Sequence, residues 1–220
     1  ASLKGFEESA WETTDEALAF FDQLWHAADR RRLGDLARTH LGLCYDVCHQ
    51  AVEFEDVTSS IRSIEKAGIR INKLHISCAI RISRPAENRE GRDALRRFVE
   101  PRYLHQVIGR ASSGDLFRLT DLSEEFLDAP GQKALEATEW RIHFHVPVNL
   151  TRLGPLETTK PDLRSAISAV AALSYAPHLE VETYTWGVLP GEAPPDLVSG
   201  LSDELVATRA LLAESGHGTN

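Results

Sequence analysis

Four segments of this chain alternate apolar and polar residues with period two, and that alternation restricts the fold more than any other property of the sequence. Residues 71–80 set Leu74, Ile76, Cys78 and Ile80 against Ile71, Lys73, His75 and Ser77. Residues 141–148 set Ile142, Phe144, Val146 and Val148 against Arg141, His143, His145 and Pro147. In residues 178–186 the faces are Leu179, Val181 and Thr183 against His178, Glu180, Glu182 and Tyr184. In residues 41–48 they are Leu41, Leu43, Tyr45 and Val47 against Gly42, Cys44, Asp46 and Cys48. Successive strand side chains point to opposite faces, so each segment reads as a strand with one greasy side and one side bearing Asp, His or Glu. Imidazoles and carboxylates gathered on one face have the make-up of a metal site.

Helical patterns separate these strands. Thr13-Thr14-Asp15-Glu16 contains a Thr-x-x-Glu capping box ahead of Leu18, Phe21, Trp25 and Ala28. Val57, Ile61, Ile64 and Ala67 form a second stripe that stops at Gly68. A basic helix carries Leu95, Phe98 and Val99 and ends at Pro101. Residues 121–128 read as a short helix, Thr158-Thr159-Lys160-Pro161 opens another with Leu163, Ile167 and Val170, and residues 201–214 close the chain. Residues 103–108 and 116–119 flank a Gly- and Ser-bearing turn, which makes residues 101–120 a hairpin insertion.

Alternating strands and helices imply an α/β fold with a parallel sheet. A doubly wound sheet buries both faces under helices and tolerates a polar face poorly. A (β/α)8 TIM barrel fits better, because one strand face packs on helices while the other points into a lumen whose C-terminal mouth carries the chemistry. Asp46, His75, His143 with His145, and Glu180 with Glu182 all lie late in their strands, as a barrel site requires. Four strands are half of eight, with residues 3–8 as the tail of one more, and the chain has no Met. The expectation is a single domain over residues 1–220 that forms the C-terminal half of a barrel. A missing N-terminal half or a second copy in a homo-oligomer would close it.

Composition removes several function classes. With 220 residues, 42 % of them hydrophobic, the chain can bury a sizeable core, and no apolar run approaches the ~20 residues that cross a bilayer. No membrane insertion and a cytoplasmic location are expected. Three cysteines, an odd number lying in strand-like segments, point to reduced thiols rather than a disulfide framework. A net charge of −9 argues against nucleic acid, and Arg30-Arg31-Arg32 and the arginines of residues 89–97 read as solvated helix faces.

The sharpest local motif is Tyr45-Asp46-Val47-Cys48-His49, an Asp at a strand end with a His three residues on. It can put one group at a ligand position and the other near substrate; the alternative is an Asp that caps the next turn and a His on the surface. His143 and His145 share a face ~6.5 Å apart along the strand, too far to share one ion, so one is ligand and the other substrate contact. Lys73, Arg141 and Glu180 can form an ion-pair layer beneath, with Glu180 either there or behind the ligands, and Thr183-Tyr184-Thr185-Trp186 either lines a sugar-like substrate or is ordinary packing. Several buried carboxylates and imidazoles call for a divalent cation, and this mixture suits Mn²⁺, Co²⁺, Zn²⁺ or Mg²⁺.

These elements resemble the xylose-isomerase-like superfamily of barrels, which includes sugar and sugar-phosphate isomerases and epimerases and the type IV apurinic endonucleases. The chain is most similar to its EboE branch of metabolite-traffic proteins. Residues 44–56, 142–148 and 178–186 carry the likeness. The resemblance implies Asp46, His75, His145 and Glu182 as metal ligands, with Glu7 (or Glu8) supplying one more carboxylate from the preceding strand. It implies Glu182 and Glu7 as the catalytic pair, with His49, His143, Lys73 and Trp186 on the substrate side. The implied function is metal-dependent isomerisation or epimerisation of a polyhydroxylated small molecule, in a metabolite-traffic pathway. The alternatives are a non-catalytic metabolite-binding protein and a metal-dependent phosphodiesterase of the apurinic-endonuclease type.

Overall fold

A computed structural model describes residues 2–3, 12–190 and 196–216. In chain order the elements are β1 (Ser2–Leu3), α1 (Thr14–Arg30), α2 (Gly34–His40), β2 (Gly42–Asp46), α3 (Val47–Val52), α4 (Val57–Lys66), β3 (Ile71–Ile76) and β4 (Cys78–Ser83). These are followed by α5 (Arg89–Leu95), β5 (Val107–Ala111), β6 (Leu116–Leu119), α6 (Glu124–Asp128), α7 (Gly131–Glu136) and β7 (Ala137–Val146). The last are β8 (Arg152–Leu153), β9 (Leu156–Thr158), α8 (Lys160–Ala171), β10 (His178–Val181) and α9 (Leu197–Glu214).

The fold is mixed α/β, and its strands form two sheets with no closed barrel among the described residues. The first is parallel and ordered β1-β2-β3-β10; the second is ordered β6-β5-β7-β4-β9-β8, and its pairs are antiparallel. Two of the four alternating segments and the first part of residues 71–80 therefore lie in the parallel sheet, and residues 141–148 do not. Period-two patterning fixes which face a side chain takes but says nothing about strand direction, so β7 satisfies the same alternation while running antiparallel to β4.

Residues 71–80 are also two strands rather than one. The chain breaks at Ser77 and passes from the parallel sheet (β3) into the antiparallel one (β4). The expected strand 41–48 stops at Asp46, because the Asp46 side chain accepts the His49 N–H and caps α3. The hairpin at β5 and β6 exists, with Val107 opposite Leu119. Its first strand, β5, also pairs along β7 and extends the sheet. The closing helix starts earlier than its apolar pattern suggested, at Leu197, where Asp196 caps it.

Between the sheets and helices lies one main core that includes Phe21, Leu74, Ile76, Ile80, Trp140, Ile142, Phe144 and Ile167. The capping box at Thr13 and Glu16 forms as expected, and Gly68 takes the left-handed conformation that ends α4. The three cysteines are buried and form no disulfide. The basic clusters are surface features: Arg96, for instance, pairs with Glu124 and Asp128. No helix of the described residues is long and apolar enough to cross a membrane.

Candidate metal centre

Parallel register brings the polar ends of three strands side by side. Asp46, the last residue of β2, lies opposite His75, and His75 lies opposite Glu180 of β10. Glu182 follows directly after β10, its N–H donating to the Ile76 carbonyl. β7 arrives from the second sheet and delivers His145 against the same group. Asp46, His75 and His145 are buried, and the Glu182 side chain keeps 23 % of its exposure.

The side chains of the cluster touch one another through polar atoms. Ser77 donates its hydroxyl to Asp46 Oδ1 at 2.8 Å and accepts the Cys48 N–H at 2.9 Å, so the strand break itself fixes the carboxylate. Asp46 Oδ2 then faces His75 Nδ1 at 3.5 Å and His145 Nε2 at 3.9 Å. His75 Nδ1 is 2.6 Å from Glu182 Oε2, and its Nε2 is 3.4 Å from Cys44 Sγ. His145 Nδ1 lies 2.6 Å from the main-chain oxygen of Glu182. A carbonyl can only accept, so Nδ1 carries the proton, and Nε2 keeps its lone pair, with His143 Nε2 at 3.3 Å as its nearest polar neighbour.

Electrostatics divides the two imidazoles. Burial acts to lower the pKa of His75, but its contacts with Asp46, Cys44 and Glu182 outweigh that and push it up to about 11. His145 goes the other way: burial holds it below the ordinary imidazole value, and it stays neutral. A cationic imidazolium therefore sits between two acids, beside a neutral imidazole suited to act as a ligand.

The donor set fits a divalent cation. Ligand atoms of Asp46, His145 and Glu182 lie within 4.8 Å of one another. An ion about 2.1 Å from each donor needs separations of about 3–4 Å, so small rotations suffice. The contact between His75 and Glu182 is too short for two ligands of one ion. His75 would join them only by giving up its proton and turning away from Glu182.

The other expected site residues divide. His49 and His143 lie close by, with ring centroids 5.3 Å apart, and a cavity of about 30 Å³, large enough for one water, opens beside Asp46 and His49. His143 Nε2 comes within 3.3 Å of His145 Nε2, which corrects the expectation that the spacing keeps the two rings apart. Strand rise separates backbones, whereas imidazoles are long enough to lean together. Cys48 groups with these two histidines as a further set of ligand types.

Lys73 is taken up by an ion pair with Glu180, and Arg141 joins a different network with Glu139 and Asp162, so the expected three-residue layer is split. Trp186 does not reach the cluster, because its indole N–H donates to Glu204 at 2.9 Å. The aromatic ring beside the site is Tyr184, 4.5 Å from the His145 ring. Glu7 and Glu8 lie outside the described residues. Ser77 and Cys44 share strand faces with His75 and Asp46, and that parity is the sequence signal for their place beside the centre.

Fold and site together define a class: an α/β protein with a buried carboxylate–imidazole cluster at the meeting of two sheets. No family model, curated protein or solved structure matches the chain.

Proposed function

We propose that this cluster binds a divalent cation and that the protein is a metal-dependent, isomerase- or epimerase-like enzyme acting on a polyhydroxylated small molecule. The parallel sheet is read as an arc of a (β/α)8 barrel of the xylose-isomerase-like, EboE-type kind, its remaining strands coming from another segment or a second copy. The supporting observation is the convergence of Asp46, His75, His145 and Glu182 from four separate stretches of sequence on one buried point.

Asp46, His145 and Glu182 would hold the ion, which when bound acts as a Lewis acid on a hydroxy-carbonyl oxygen. Ser77 orients Asp46 through its hydrogen bond, and the Glu182 carbonyl fixes the His145 tautomer. The Glu182 carboxylate would take a proton from the substrate carbon and return it to the product, while the His75 imidazolium 2.6 Å away balances its charge. Burial keeps bulk water from the imidazoles.

One observation favours the second reading, a non-catalytic metabolite-binding protein: the His75 imidazolium already compensates the two acids beside it. Isothermal titration with Mn²⁺, Co²⁺, Zn²⁺ and Mg²⁺, followed by a polyol-turnover assay, separates the cases. Binding and turnover that disappear in Asp46→Ala support the enzyme, binding without turnover supports the carrier, and no binding of any of the four ions overturns the proposal.

A further inference from the structure

Helix α9 contributes one residue to the interior that packing does not explain. Glu204 is completely buried, and its carboxylate accepts three hydrogen bonds. Oε1 takes the Thr183 hydroxyl at 2.5 Å and the Val148 N–H at 3.0 Å, and Oε2 takes the Trp186 indole N–H at 2.9 Å. The helix lies close enough to the indole that a Cβ on Gly200 would come 2.2 Å from the Trp186 ring. Burying a carboxylate is costly, and an apolar side chain would fill the same space without that cost.

The three donors belong to the two segments that present the cluster. Val148 is three residues past His145, beyond the end of β7, and Thr183 is the residue after Glu182. The segments are cross-linked a second time, because Thr185 donates its hydroxyl to the His145 carbonyl. Glu204 therefore ties the His145 and Glu182 segments together from behind, beside the Thr185 hydroxyl and the His145 Nδ1–Glu182 carbonyl contact.

We infer that Glu204 is a positioning residue for the cation centre: through its bonds to Thr183, Val148 and Trp186 it holds Glu182 and His145 at ligand spacing. This rests on the cation reading above. Groups that orient metal ligands from behind characteristically change affinity about 10- to 100-fold when removed. Glu204→Gln replaces one accepting oxygen with an NH₂ that faces a donor. Thr183→Val removes only the hydroxyl nearest Glu182.

The test is Co²⁺ titration of the full chain, followed by visible absorption, on wild type, E204Q and T183V, with thermal unfolding recorded for each. Binding is read well below the unfolding transition, so that a loss of stability alone does not move it. The expected result is Co²⁺ binding weakened about tenfold or more in both variants, with an altered absorption band and cooperative unfolding retained. Wild-type affinity and an unchanged band in folded T183V overturn the inference whatever E204Q does; if E204Q fails to fold, T183V still decides. Failure of the wild type itself to bind Co²⁺ overturns the cation reading, and this inference with it.

Discussion

His75 and His145 make opposite demands on pH. The folded-state pKa of His75 is raised, so its contribution to stability is complete below about 6.5 and is lost as pH climbs toward about 11. That of His145 is lowered, so its contribution is complete above about 6.5 and is lost as pH falls. In urea denaturation across pH, His75→Gln should remove part of the alkaline decline and His145→Gln part of the acid decline. Cation binding must displace the His75 proton if that ring joins the ligands, so affinity should rise with pH in wild type and rise less steeply in His75→Gln. Ser77 is a separate case. Its hydroxyl bridges Asp46 and the Cys48 N–H, both buried, so Ser77→Ala should cost about 1–3 kcal/mol in the same denaturation experiment.

At the level of elements, the centre depends on β2 and β3 keeping their register, which shifts once between Leu43 and Cys44. Gly42 opens β2 one residue before that shift, and a Cβ there would meet the Arg70 carbonyl at 2.4 Å. Since the obstacle is backbone, Gly42→Ala should destabilise the protein by about 1–3 kcal/mol and disturb the Asp46–His75 alignment. Thermal unfolding checks the first effect, and weakened Mn²⁺ binding checks the second.

Much of the centre was legible because alternation assigns faces: it put Asp46, His75, His145 and Glu182 on the polar sides of their segments. Alternation has no direction, however, so β7 read as parallel. Nor does it mark a break, so β3 and β4 read as one strand and Ser77 as an ordinary position. The short helices α2, α3 and α7 carry too few turns for a stripe to show. The partners of Trp186 and Lys73 are set by side-chain reach across elements, which spacing along one strand does not encode.

For the whole molecule, the two sheets meet at the cluster, so a bound ion would tie both to one point. A ligand that binds only the folded state at 100 times its dissociation constant adds about 2.7 kcal/mol. For a chain of this size that corresponds to a rise of roughly 5–10 °C in Tm. Saturating Mn²⁺ should give such a shift in wild type and none in Asp46→Ala, as followed by calorimetry. The most direct measurement is anomalous scattering from Mn²⁺-soaked crystals of the wild-type protein. The expected result is a peak bounded by Asp46 Oδ2, His145 Nε2 and Glu182 Oε2; data with no peak there, or with Mn²⁺ ordered only at surface acids, would contradict a cation centre at this cluster.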